Sequence, residues 1–240
     1  MNPFLKSCTL LLLMFSNLAV AQIPEDSSQL IVVTTPDWDA VKGTAQRYKR
    51  VDQGFQKVGE PFAIVVGKHG MAWGRGILPI DPDQQPVKRE GDGKAPAGIF
   101  KFGTAFGYAP NANTRMPYAR STADRECVDD SKSSHYNTLV DSSAVSKDWT
   151  SSEQMRRKDH LYRQGVFVEH NTPATAEGGS CIFLHLWRTA SSPTEGCTAM
   201  ASSSIQHLFV WLDPRKNPLL VQMPEEQYEL YRERWELPAR

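Results

Sequence analysis

The sequence predicts a single, mainly β domain with a long polar insertion and a few short helices. Three observations carry that expectation. Short apolar runs such as "FAIVVG" and "CIFLHLW" recur along the chain, glycines punctuate the stretch from Gly91 to Gly107, and polar residues dominate from Arg120 to about Gln164. Strand-length apolar runs bounded by turn residues favour β structure over long helices.

Taken in order, residues 1–21 read as a secretory signal. Lys6 gives a positive start, Leu10 to Phe15 an apolar run, and Ala19-Val20-Ala21 a small-residue cleavage site. The apolar stretch is shorter than the roughly 20 residues that a membrane-spanning helix needs. Residues 22–61 read as a leader, a short strand at Leu30 to Val33 and a helix within Asp37 to Asp52. In that helix Trp38, Val41, Ala45 and Tyr48 have near-helical spacing, and Gly43 opposes it. Residues 62–240 form the expected main domain. It opens with a strand at Phe62 to Val66 and a glycine-bounded turn, "KHGMAWGRG". The glycine-rich stretch that follows lacks the GxxxxGK[ST] spacing of a phosphate-binding loop.

A structureless loop as long as the insertion at about 120–164 would be unusual, so the stretch is expected to be a lid or to hold short helices near Ser151 to Tyr162. Two strands, in "GVFVEHN" and "CIFLHLW", come next. Beyond Cys197 the expectation is a helix around Ser202 to Leu208, with a strand at 208–212 as the alternative; a last strand at Leu219 to Gln222 and a charged tail complete the chain.

The chain has equal numbers of basic and acidic residues, and loss of Lys6 with the signal leaves a formal charge near −1. No concentrated basic surface is implied, so no nucleic-acid partner is expected. Of the four cysteines, Cys8 lies in the signal. Cys127, Cys181 and Cys197 remain, an odd number that in an oxidising compartment leaves one free thiol after one pair forms.

His185 and Cys197 bracket the segment "HLWRTASSPTEGC". A neighbouring imidazole can generate a thiolate, and Gly196 permits a turn whose amides, with that of Cys197, could hold an oxyanion. Two other readings stand beside this one. His185 could be a hydrogen-bonded core residue with Cys197 a buried thiol, or His170, Cys181, His185 and Cys197 could supply metal ligands. Their spacing is not a compact zinc signature, and neither a metal nor a cofactor is expected.

The stretches "KREGDGKAPAGIFKFG" and "GSCIFLHLWRTASSPTEGCTAM" together resemble the L,D-transpeptidase catalytic domain (YkuD or ErfK-like) of bacterial cell-wall enzymes. The resemblance implies a β-sandwich-like fold with the active cysteine in a cleft beneath a flap. It implies His185 as base, Cys197 as nucleophile with Gly196 beside it, and Thr194 as the small hydroxyl residue of the motif. Glu195 stands where the family commonly has His, and Thr198-Ala199 replaces the more usual residues after the cysteine. The implied activity cleaves the terminal D-alanine from a peptidoglycan tetrapeptide stem through a thioester and transfers the acyl group to an amine. The alternatives are transfer to water, an L,D-carboxypeptidase, or a secreted cell-wall binding domain without activity. Stem peptides are then the partners, as donor and acceptor, and the periplasm or the exterior of a bacterium the location.

Within that resemblance Thr194, Glu195, Arg89, Tyr118 and His170 are candidate substrate contacts. A solvated turn, packing and a structural hydrogen bond are the plainer readings for Arg89, Tyr118 and His170. Asp129 and Asp130 are candidates for the stem's amine, or simply members of a charged loop. Cys127 and Cys181 could form a disulfide that pins the insertion to the core, with Cys181 as an ordinary core residue the alternative.

Overall fold

A computed structural model describes residues 22–52, 54–79 and 83–240; the expected signal at 1–21 lies outside them. Eight strands close into a mixed barrel. They are β1 (Gln29–Thr35), β2 (Lys42–Val51), β3 (Gly54–Val65), β5 (Ala95–Gly107), β10 (Gln164–Val168), β11 (Phe183–Leu186), β12 (Thr198–Met200) and β13 (Leu219–Pro224). The sheet runs β10-β11-β12-β3-β2-β1-β13-β5, and pairing of β10 with β5 closes it. The β1–β13 and β11–β12 neighbours are parallel, and the other pairs around the barrel are antiparallel. Two further strands, β4 (Met71–Trp73) and β6 (Tyr118–Arg120), lie parallel to β5.

The closed barrel corrects the expected sandwich. Alternating and two-sided apolar strands suit either architecture, so the pattern alone does not choose between them. The choice is made at β5, whose first half pairs with β13 and whose second half pairs with β10. Gly165 makes the closing seam possible: a Cβ there would come within 2.4 Å of the Phe106 ring and 2.7 Å of the Leu184 carbonyl oxygen.

The N-terminal residues belong to the barrel, and the helix expected within Asp37–Asp52 is the strand β2. Ala45 and Tyr48, three apart, would face opposite sides of a regular strand. Both are buried, and the Tyr48 hydroxyl donates to the Ala239 carbonyl 3.3 Å away, so the C-terminal segment covers the second face. Burial on both faces produced the helix-like spacing. The same cause gives β1 its apolar run Leu30 to Val33 and β13 its run Leu219 to Val221, since every residue of each strand is buried. Helix α1 (Ser202–Trp211) buries Ile205, Leu208 and Phe209. A second helix, α2 (Glu225–Arg232), stands in the expected charged tail and buries Tyr228 and Tyr231.

The insertion holds strands rather than the short helices expected near Ser151 to Tyr162. Strands β7 (Arg125–Val128), β8 (Leu139–Asp141) and β9 (Ser152–Gln154) form a separate antiparallel sheet in the order β8-β7-β9. Val128, Val140 and Trp149 are its own small core. Cys127 of β7 is joined to Cys181, 54 residues along the chain, just before β11. Beside the bridge, the Asn137 amide donates to the carbonyls of His170 and Asn171 and accepts from the Cys181 N–H. The small sheet is thereby pinned over one end of the barrel.

Candidate ligand pocket

A cavity of about 500 Å3 lies where the insertion meets the ends of β11 and β12. That volume is within the usual range for small-molecule sites. Thr194, Gly196, Cys197 and His185 line it from the barrel side, Asp129 and Glu153 from the insertion, and Arg157, Leu161 and Tyr162 from the segment leading into β10. Lys88, Glu90 and Gly91 enter from the loop before β5.

Parallel pairing of β11 with β12 sets Leu184 beside Thr198 and His185 beside Ala199, which brings both ends of "HLWRTASSPTEGC" to one place. The connecting loop is stapled to the barrel: Thr194 N–H donates to the Val66 carbonyl at 3.0 Å, and Lys68 N–H to the Thr194 carbonyl at 2.8 Å. Thr194 Oγ1 donates to the Cys197 carbonyl at 2.6 Å and accepts from Gly196 N–H at 3.1 Å. Gly196 has φ +150°, and a Cβ there would sit 3.0 Å from the Lys94 carbonyl oxygen, so glycine is required for this close approach.

The disulfide removes Cys127 and Cys181 as thiols, leaving Cys197 free and 6% exposed. Cys197 Sγ accepts from Phe183 N–H at 3.3 Å and donates to the Cys181 carbonyl at 3.5 Å, so the bridged residue itself holds the proton on the thiol. Burial pushes the thiol far above its ordinary range, and the Glu153 carboxylate adds to the rise. Burial lowers His185 to about 4, so its imidazole is neutral near pH 7. Its Nδ1 pairs with the Leu186 carbonyl at 2.8 Å, and its ring meets Tyr162 edge-on at 5.1 Å.

These findings correct the cysteine acyltransferase that the resemblance implies. The nucleophile would be the thiolate, whereas two of the three cysteines are bridged and the third is buried and protonated. Among the described residues no hydrogen bond joins His185 to Cys197. Gly196 N–H, expected to serve an oxyanion, is already donated to Thr194. Transfer to an amine and transfer to water both lose their starting thiolate.

The other candidate contacts separate. Glu195 lines the pocket with a largely exposed side chain, which pairs with Lys68 at 2.6 Å. Arg89 adjoins two lining residues without lining the pocket, and its backbone N–H donates to Asp92, which shapes the turn. Tyr118 stands away on β6, its hydroxyl donating to the Ala109 carbonyl at 2.8 Å. His170 is buried behind the site. Its Nδ1 accepts from Arg75 N–H and its Nε2 donates to the Gly178 carbonyl, while burial lowers it to about 3. Among the described residues no group of three or more His, Cys, Asp or Glu is placed to hold a metal ion.

Sequence reasoning passed over Glu153, Arg157, Tyr162 and Arg188. Arg157 binds Asp159 through two hydrogen bonds of 2.8 and 2.6 Å and stacks its guanidinium 4.9 Å from the Tyr162 ring centre; Arg188 reaches the same carboxylate at 3.2 Å. The Tyr162 hydroxyl donates to Glu153 Oε2. No regular spacing connects these residues, which meet only through the fold.

Among the described residues no helix is long and apolar enough to cross a membrane. No family model, curated protein or solved structure matches the chain, so its resemblance to L,D-transpeptidases rests on the two quoted stretches alone.

Proposed function

We propose that this protein binds short peptides of the peptidoglycan-stem class in its pocket, without thiol chemistry, in the periplasm or outside a bacterial cell. The observation that carries this reading is the pocket itself. It is large enough for the end of a peptide and is lined by carboxylates and guanidinium groups together, as a ligand bearing both an amine and a carboxylate requires. The two stretches resembling L,D-transpeptidases supply the ligand class, because one of them forms the barrel side of the cavity. Arg188 is the natural contact for a terminal carboxylate, being an exposed member of the pair that shares Asp159. The export signal read at residues 1–21 supports the location.

The test is calorimetric titration of the protein with a synthetic tetrapeptide stem ending in D-alanine, with mass spectrometry of the same mixture. Saturable binding of one peptide per chain, with the peptide recovered intact, is the expected result. Release of D-alanine that disappears in Cys197→Ser would overturn a binding-only role, and no heat at millimolar peptide would overturn the ligand class.

A further inference from the structure

A second cavity, of about 290 Å3, lies at the start of β13 and shares no lining residue with the pocket described above. Its size is at the lower limit of small-molecule sites, roughly 300 Å3. Pro24, Pro214 and Pro218 line it together with the buried residues Met116 and Leu219. Asp26, Ser27, Lys101 and Asn217 add polar groups to the same wall.

The wall is fixed before any ligand arrives. The ring of each proline sets its φ. Asn217 is left-handed at φ 42°, and its N–H donates to the Pro214 carbonyl at 3.1 Å. Its side-chain amide donates to Asp26 Oδ2 at 2.7 Å, and Ser28 N–H donates to the Lys216 carbonyl at 2.9 Å. These two bonds tie the N-terminal segment to the turn before β13. Lys101 stands opposite Leu219 in the β5–β13 ladder, and residues directly opposite one another share a face of the sheet. An apolar surface and an ammonium are thus set side by side.

The polar groups of this wall are incompletely served. Asp26 and Lys101 are exposed, and neither forms an ion pair with the other or with any described residue. Asp26 has only the neutral Asn217 amide as a side-chain partner. Ser27 is wholly buried, and its hydroxyl has no hydrogen-bond partner among the described residues; native structures leave few such groups.

We infer that this second cavity binds a free α-amino acid with an apolar side chain. Such a ligand carries an ammonium and a carboxylate on one carbon, beside an apolar group. Lys101 receives the carboxylate, Asp26 the ammonium, and Met116 and Leu219 the side chain. Opposite charges that line one small cavity without pairing are complementary to a ligand bearing both signs. A simple acid would meet Asp26 as a like charge, and a simple amine would meet Lys101 as one. The site is independent of the peptide pocket and of the ligand class proposed there.

The test is a two-dimensional NMR titration of the 15N-labelled protein with leucine, 4-methylpentanoate and 3-methylbutylamine, the last two being leucine without its amine and without its carboxylate. Leucine is expected to shift the amides of Ser27, Lys101, Asn217 and Leu219 saturably and to leave Thr194, Gly196 and Cys197 unmoved. Loss of either charged group should weaken binding by about 5-fold, the upper scale of an exposed ion pair. Lys101→Met should weaken leucine by the same factor and leave the amine unaffected; Asp26→Asn, which keeps an acceptor for Asn217, should weaken leucine and leave the acid unaffected. Both changes are at exposed side chains, and unchanged spectra elsewhere in the chain will show that each variant is folded. No shift at millimolar leucine overturns the site, as do shifts confined to Thr194, Gly196 and Cys197. Equal affinity for leucine and either analogue overturns the amino-acid class. Failure of a stem peptide to bind the larger pocket would leave each of these outcomes readable.

Discussion

The barrel and the insertion are built by opposite means. Barrel strands such as β1 and β13 are buried along their whole length, so apolar area removed from water and the continuous ladder hold them. The insertion has three short strands and a core of Val128, Val140 and Trp149. Its shape comes instead from carboxylates. Asp130 fastens Thr150 and Lys132, Asp148 accepts from Ser133 and Ser134, and Glu126 takes the Trp149 indole N–H at 2.9 Å. The pocket therefore has one rigid wall and one conditional wall: the side bearing Cys197 and His185 belongs to the barrel, and the side bearing Asp129 and Glu153 depends on polar bonds and one disulfide.

Damage to the barrel should therefore be global. Phe100 is fully buried on β5 and packs against the His170 ring at 5.8 Å. Phe100→Ala is expected to cost about 3–5 kcal/mol and to lower the melting temperature by roughly 10 °C or more for a chain of this length. Far-ultraviolet and near-ultraviolet circular dichroism should report one shared transition. Separate transitions at the two wavelengths would break the picture of a barrel that carries the insertion with it.

Damage to the disulfide should be local. Replacing Cys127 and Cys181 together by serine frees a loop closed over 54 residues, which the chain-entropy account values at about 4 kcal/mol and experience at roughly 2–4. Limited proteolysis should then cut within residues 120–164 while leaving the barrel strands resistant, and peptide affinity should fall with the loss of the acidic wall. If the barrel is digested at the same rate as the insertion, the two regions form one cooperative unit and the contrast is lost.

How much of this was legible in the sequence follows from the same contrast. Leu30 to Val33 and Leu219 to Val221 read as strands because burial wrote unbroken apolar runs there, and Phe62 to Val66 read as one although only Ile64 to Val66 of it is buried. The misread helix came from Ala45 and Tyr48, whose opposite faces are both covered. Closure of the barrel depends on β10 meeting β5, a long-range pairing with no local signature. His185, Cys197, Thr194 and Gly196 were legible as a cluster because one short loop joins them. Glu90, Asp129 and Glu153 were not, since their meeting requires the insertion to fold over the barrel. The protonation of Cys197 was hidden too, because it depends on the Cys181 carbonyl and on burial rather than on the neighbouring residues.

The smallest expected effect tests the polar scaffolding alone. Burial would raise the Glu126 carboxyl, but hydrogen bonds from Ser152 and Trp149, with lesser ones from Ser142 and Gln154, outweigh it and hold the group at about 2 against an ordinary 4.5. A carboxyl lowered on folding contributes stability above its ordinary value and loses it as pH falls towards the folded one. Acid should therefore loosen the insertion between about pH 4.5 and 2 before the barrel melts. The indole of Trp149 is bonded to the titrating group, so the change in its fluorescence should track that window. Glu126→Gln keeps an acceptor for the indole but removes the charge, and is expected to cost about 1 kcal/mol near neutral pH while abolishing the acid step. A fluorescence change that survives in Glu126→Gln would place the acid sensitivity elsewhere and would deny Glu126 its role as the organiser of the conditional wall.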